Sequence, residues 1–317
     1  AFVAGAVHRF ARRGAENASS IDRLAKMSFF AFVAVFPIAV AVALRPTVYD
    51  STRLFLFVMP PLAIVAGIGL NWFFTLRLPK ILKVCVTSIL VVDALLVLAD
   101  MVALHPYQYA YFNRISGGVR GAYGVYDMEY WGTSYKEGVE WLEQNYKRSA
   151  PRASIRVANP SNPFLTYYYL HTSKPEVQRF TPVDIDDSPD VVLSLTRWNQ
   201  HIVYEGRVLH IVQRSGAPFL YILETSSRDR SEDSTMRAAV RSLYIKSEPW
   251  AAERDFRRVL ELDPQRYGAI QGLASALDAT GKSGEARRLW AQALLLAKEF
   301  NDTRTVELAT NKLAEGR

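Results

Sequence analysis

Cysteine is almost absent from this chain of 317 residues: Cys85 stands alone, so there is no intrachain disulfide and no thiolate zinc cluster, and the redox compartment stays open. The five histidines include no pair four residues apart. The Gly-rich phosphate loop ending in Gly-Lys-Ser/Thr, the His-Glu-x-x-His zinc motif and the Gly-x-Ser-x-Gly elbow are all missing. Neither a metal site nor a cofactor is identified, and metal dependence stays open. A clustered basic face is lacking too. Of 38 Lys and Arg, 10 precede His105 beside 5 acidic residues, which leaves 28 basic against 26 acidic in the rest. Interspersed signs of that kind do not neutralise a phosphate backbone, which argues against a nucleic-acid partner. An initiator methionine is also missing, and AFVAGAV at the start reads as the tail of an apolar segment already under way. The chain is expected to be a fragment. No small-residue cleavage site follows that segment, so a signal peptide is a poor reading.

What the sequence has in abundance is long apolar runs. Three of them, Met27–Leu44, Leu54–Leu76 and Val84–Leu104, contain 18, 23 and 21 residues. At about 1.5 Å per residue they reach roughly 27, 35 and 31 Å, against a hydrocarbon core of about 30 Å. Arg9, Arg12, Arg13, Arg23 and Lys26 precede the first run, and Arg77, Lys80 and Lys83 lie between the second and third. Both clusters belong on the cytoplasmic side, so three crossings leave everything after His105 outside the cytoplasm. The expectation is a multipass plasma (inner) membrane protein with a periplasmic or extracellular C-terminal region. Pro60 and Pro61 predict a kink in the second run. Asp93, near the middle of the third, needs a partner, and Asp100 seven residues on shares its face. That helix is expected to pack on further helices through a structural hydrogen bond, with a part in chemistry as the other reading.

From His105 the composition changes to Tyr, Gly and Trp, in HPYQYAYFNRISGGVRGAYGVYDMEYWGTSYKEGVEWLEQN. Ser134 and Glu137 have capping-box spacing, and Tyr135, Val139, Leu142 and Tyr146 follow at helical period, predicting a helix over Ser134–Lys147. A second helix is expected around Phe164–His171. Four β-rich runs, Ser154–Ala158, Asp190–Leu195, Arg207–Val212 and Phe219–Glu224, complete a small α/β domain over 105–225. Gly117, Gly118, Gly121 and Gly124 follow no strand and open no helix directly, so they read as a close-packed loop rather than a phosphate cradle.

Residues 226–236 are polar and predict a linker. Beyond it Ala252, Phe256, Leu260 and Leu262 recur 34 residues later as Ala286, Trp290, Leu294 and Leu296. That interval is the tetratricopeptide period, and Pro264, Leu273, Ala274, Ala276, Leu277 and Gly281 fall where that repeat family has small or apolar residues, with Ala274 in place of its usual glycine. One and a half units are too few to stand alone, so these helices, over 237–317, are expected to lean on the α/β domain or on a partner. The fold class predicted is a multipass helical membrane region (1–104), a small exterior α/β domain and a tetratricopeptide-like helical array.

The segment VYDSTRLFLFVMPPLAIVAGIGL, then HPYQYAYFN and DMEYWGTSYKEGVEWL, resembles the C-terminal portion of type C membrane glycosyltransferases. The likeness is closest to bacterial relatives of the dolichyl-phosphate-mannose protein mannosyltransferases and covers about Tyr49–Thr225. It implies transfer of a sugar from a polyprenyl-phosphate carrier to an acceptor at the outer membrane face. The family's catalytic acid lies in an early exterior loop that is not in this chain. The resemblance matches Arg53 to the arginine that opens the family's helix, where Leu54 replaces the usual His or Tyr. A guanidinium at the outer end of a span suits a lipid phosphate, and an interfacial arginine reaching lipid headgroups is the alternative. Asp50 reads as a helix cap. Tyr107, Tyr109, Tyr111, Asn113, Tyr130 and Trp131 either border an acceptor or sugar pocket or serve packing and a membrane-interface belt. The competing function is a non-catalytic membrane-tethered scaffold whose repeat helices bind a protein partner. A transporter subunit is a third, weaker reading, because the runs hold few polar residues.

Overall fold

A computed structural model describes residues 25–46, 51–123, 125–126, 128–146, 154–172, 180–225 and 233–315. The chain divides into two compact units, Ala1–Leu95 and Leu96–Arg317. That boundary falls inside the third apolar run rather than at its end.

Among the described residues, three helices are long and apolar enough to cross a membrane: Ala25–Leu44, Leu54–Thr75 and Lys80–Ala103, of 20, 22 and 24 residues, the third shared between the two units. The first is α1. The second starts as a 3-10 helix, Ser51–Val58, and continues as α2, Met59–Thr75. Pro60 and Pro61 occupy the first turn of α2, where the missing N–H groups have no intrahelical acceptor to lose. The proline pair is therefore accommodated by a change of helix type at Met59. The third helix, α3 (Lys80–Ala103), has no buried residue, as a surface meant for lipid or for other helices requires. Lys83 closes the turn before it by donating to the Phe74 carbonyl at 2.6 Å.

Asp93 is exposed on α3 and has no partner among the described residues. Asp100 departs from the expectation of a shared interhelical partner: Arg114 grips it with two hydrogen bonds of 2.9 and 3.1 Å. Asp93→Leu is therefore expected to lower the apparent insertion free energy of the Lys80–Ala103 segment by about 3–4 kcal/mol, while Asp100→Leu disturbs the fold instead. A translocation assay with a marginal host segment measures the first; equal insertion of both segments would mean that the Asp93 carboxylate reaches water.

The second unit contains a five-stranded sheet of order β2-β1-β3-β5-β4, with β1 Ile155–Ala158, β2 Phe180–Val183, β3 Val191–Leu195, β4 Gly206–Arg214 and β5 Ala217–Thr225. The first three strands are parallel, and β5 is antiparallel to both β3 and β4. Ser215 and Gly216, both at positive φ (49° and 76°), join β4 to β5 in the two-residue turn that matches strand twist. Strand β2 was not foreseen. It is four residues long and contains Pro182, which fits a sheet only at an edge, and β2 is an edge.

Period-two alternation gives the sheet two apolar faces. Val191, Leu193, Leu220 and Ile222 meet Tyr135, Val139 and Leu142 of α5 (Ser134–Asn145) in one core. Gly138 makes that approach possible, since a Cβ there would lie 2.4 Å from Leu220 Cδ2. On the other face Val192, Val208, Tyr221 and Leu223 pack together. Helix α4, Gly118–Ala122, precedes α5, and α6, Pro163–Thr172, follows β1. Contrary to expectation a short helix does open on the glycine cluster. Gly121 is nevertheless tightly packed, because a Cβ there would sit 2.6 Å from the Ser116 carbonyl oxygen, whereas Gly118 has open space beside it.

Helices α7 (Asp233–Tyr244), α8 (Pro249–Leu262), α9 (Tyr267–Ala279), α10 (Ser283–Glu299) and α11 (Thr303–Glu315) form the rest. Because α7 begins at Asp233, the polar stretch is helical sooner than the expected linker 226–236 allows; residues 226–232 lie outside the described residues. Short connections make these helices antiparallel neighbours. Their core, with Phe256, Ile270, Leu273 and Trp290, also takes in Ile202 and Val203 from the segment after β3. Gly268 marks the seam, since a Cβ there would collide with the Ile202 carbonyl. Val208 N–H donates to the Phe300 carbonyl at 2.8 Å, and Arg266 donates to the Val203 carbonyl at 2.8 Å. The helices lean on the α/β domain.

Candidate functional site

The turn before α5 is built around one carboxylate. Glu129, fully buried, accepts from Gly132 N–H (2.9 Å) and Ser134 N–H (2.9 Å), and also from Tyr109 OH (2.8 Å) and Thr133 Oγ1 (3.2 Å). A negative charge at the first turn of a helix also faces the positive end of its dipole. Glu129 thus does what Ser134 and Glu137 were expected to do: no side-chain cap comes from Thr133, the residue preceding the helix, and Glu137 is engaged elsewhere. Gly132 takes φ 68°, and a Cβ there would press within 2.8 Å of the Tyr135 ring.

Glu137 faces Arg214 at the end of β4, with contacts of 2.6 and 3.2 Å, and accepts from Tyr107 OH at 2.5 Å. Burial works to raise the Glu137 pKa, but the Arg214 and Tyr107 hydrogen bonds outweigh it and hold the carboxyl below its usual range. Burial, followed by the adjacent carboxylate, pushes the Tyr107 and Tyr109 phenols well above theirs, so both stay protonated donors. Arg214 Nε reaches the His105 carbonyl at 3.1 Å, and the Tyr107 ring packs edge-on against Phe219. This cluster fastens the chain leaving α3 to the sheet.

A second arrangement lies beyond the carboxyl ends of the parallel strands. After β1 the chain runs through α6 to β2 on one side; after β3 it leads toward β4 and β5 on the other. Adjacent strands whose connections diverge leave a crevice between them, the usual place for a ligand in an open α/β sheet. Asn159 shapes the first loop by accepting from Ser161 N–H and Asn162 N–H, each at 3.0 Å. Ser161 Oγ bridges to Gln200 Oε1 of the second loop at 2.7 Å.

In that second loop Trp198 (φ 52°, ψ 26°) and Asn199 (φ 53°, ψ 32°) are consecutive left-handed residues, neither of them glycine. Each such conformation costs on the order of 1–3 kcal/mol, and a tryptophan adopts it rarely. The Arg197 guanidinium lies over the Trp198 ring at 3.8 Å and over the Tyr130 ring at 4.0 Å. A cavity of about 180 Å³ opens beside this second loop and away from the first, lined by Tyr126 and Met128 from before α5, by Thr196, Arg197, Trp198 and Asn199, and by Tyr244 from the end of α7.

No protein-family model, curated protein or solved structure matches the chain. The site therefore rests on its geometry. Of the residues singled out from sequence, Tyr130 stands beside the crevice, and Trp131, half exposed, meets it edge-on at 5.0 Å. Tyr107 is buried in the core, and Tyr109 joins the Glu129 cluster. Tyr111 packs against the first core. Asn113 caps a 3-10 turn by accepting from Ser116 N–H at 3.0 Å. The backbone of Arg53 belongs to the 3-10 helix before α2; its side chain, with Asp50 and Gly124, lies outside the described residues. Among the described residues no group of three or more His, Cys, Asp or Glu could hold a metal ion. Sequence reasoning missed Arg197, Trp198 and Asn199, whose only signal was a polar run straight after an apolar strand.

Proposed function

We propose that the chain is the C-terminal part of a multipass membrane glycosyltransferase. It transfers a sugar from a polyprenyl-phosphate donor to an acceptor at the extracytoplasmic face, and its catalytic acid lies upstream. One observation carries this reading. HPYQYAYFN and DMEYWGTSYKEGVEWL, the two outer segments of the resemblance, are joined residue to residue, Tyr109 to Glu129 and Tyr107 to Glu137, directly after an apolar helix long enough to cross a membrane. Loop charge supports an exterior position for that junction. Arg53, at the start of the second span, is the donor clamp: its planar donors suit a phosphate at the depth where a lipid carrier exposes its head.

The experiment is kinetic, on the full-length protein in membranes. Arg53→Ala is expected to lower kcat/KM for the lipid-phosphate donor by about tenfold or more, with acceptor KM unchanged. Unchanged donor kinetics would return Arg53 to headgroup anchoring. A parent protein with no further spans and no acidic exterior loop would remove the transferase reading altogether.

A scaffold role has its own support. Ala252 and Phe256 of α8 and their counterparts 34 residues on, Ala286 and Trp290 of α10, are all buried, as a tetratricopeptide-like repeat would require. On this reading the helices recruit a protein, and deleting α8 to α11 abolishes partner binding.

A further inference from the structure

We propose that the cavity beside the loop after β3 is a carbohydrate-binding site that holds a single pyranose ring against Tyr126 and Trp198, with the Asn199 amide reaching its hydroxyls. The volume sets the scale. At about 180 Å³ the cavity lies below the range of roughly 300–1,000 Å³ that takes drug-sized molecules, so it admits one ring and not a chain of them.

The lining selects the chemistry. A sugar has apolar C–H faces and a polar rim, and wants aromatic surface above or below together with donors and acceptors around the edge. Tyr126 has one face on Phe112 at 5.5 Å, Trp198 has one face under Arg197, and both residues line the cavity. The Asn199 side chain, which donates and accepts, makes no hydrogen bond among the described residues. A purely aromatic guest would gain nothing from that amide, and a phosphate would gain nothing from the two phenolic and indole rings.

The backbone adds an independent argument. Glycine would relieve both left-handed positions, yet a tryptophan and an asparagine occupy them, side by side, at the mouth of a cavity. Strain that the surrounding packing must hold is characteristic of a ligand clamp. Arg197, stacked on Tyr130 and Trp198 together, pins the loop to the segment that carries Tyr130 and Trp131.

The proposal does not depend on the transferase reading, because a hold on a sugar and its transfer are separate acts. It is tested on the whole chain in detergent, by saturation-transfer NMR with the methyl glycosides of glucose, galactose and mannose and with N-acetylglucosamine, at millimolar concentrations. At least one should bind, with transfer strongest to the ring C–H protons. Asn199→Gly suits its φ value, so this variant should keep or raise the melting temperature while weakening the binding by about tenfold, and Trp198→Gly, which relieves φ but loses the Arg197 stack, should weaken it as much. Absence of binding by every sugar overturns the proposal. So does binding that neither variant weakens, and so does preferential uptake of p-cresol, which would mark a pocket for an aromatic side chain.

Discussion

Glu129→Leu is expected to destabilise the unit Leu96–Arg317 by roughly 3–5 kcal/mol, because a buried acceptor for four donors disappears while the donors stay in place. The two hydroxyls have a way out, since Thr133 Oγ1 already lies 3.0 Å from Tyr109 OH. The two amides, Gly132 and Ser134, do not. Each stranded buried N–H costs about 1–3 kcal/mol, and the turn cannot rotate them toward water without driving Gly132 off its positive φ or into the Tyr135 ring. For a unit of this size the loss corresponds to roughly 6–20 °C in Tm. Glu129→Gln keeps the shape but offers one acceptor atom and turns an amide donor toward another donor, so about 1–3 kcal/mol is expected. Glu140→Ala, at an exposed position of the same helix, should change nothing measurable. Thermal unfolding in detergent followed by tryptophan fluorescence reads all three. A loss below about 1 kcal/mol for Glu129→Leu would mean that water replaces the carboxylate.

That prediction also marks where sequence stops being sufficient. The apolar runs show in the sequence to within four residues at each end, because a lipid-length stretch needs no tertiary context to be recognised. Helix α5 and strands β1, β3, β4 and β5 are legible for the same reason: Tyr135, Val139 and Leu142, or Val191, Leu193 and Leu195, repeat at the period of their element. Glu129 is not legible. Its spacing to Ser134 is no helical or strand interval, and only the folded turn shows that its carboxylate replaces the capping box that Ser134 and Glu137 mimic. Glu137 has the right spacing for a cap and spends its oxygens on Arg214, 77 residues away. The cavity is harder still, since Tyr130, from before α5, meets Arg197, from after β3, across 67 residues of sequence. Periodicity reports which face of an element is apolar; it carries no information about which loops a strand order brings together.

The second large effect concerns pH. His201 lies in the 3-10 stretch Arg197–Val203, buried, with its ring face to face with Tyr221 at 4.3 Å and 15°, and its Nδ1 has no partner among the described residues. Burial pushes its pKa down from 6.5 to about 4, and the carboxylate of Asp302 opposes this only in part. Asp302 is itself occupied, accepting from Tyr267 OH and Thr305 Oγ1, each at 2.8 Å, and so cannot turn to pair with an imidazolium. The folded chain therefore holds His201 neutral where the unfolded chain would protonate it. Below pH 6.5 the unfolded state binds the extra proton, so stability is complete above that value, falls as the pH drops and levels off near pH 4. The loss amounts to about 3 kcal/mol. His210, half buried and stacked on Trp141, is also pushed down by burial, against the pull of Glu137, and adds to the same slope. His201→Phe separates the two, because it keeps the stack on Tyr221 and removes the titration. Urea unfolding at intervals between pH 4.5 and 7.5 should show the variant's stability declining more gently than the wild type's, so that the variant gains on the wild type as the pH falls. Parallel curves would mean that the folded chain protonates the imidazole as readily as the unfolded chain does, which the stack against Tyr221 and the occupied Asp302 leave no room to satisfy.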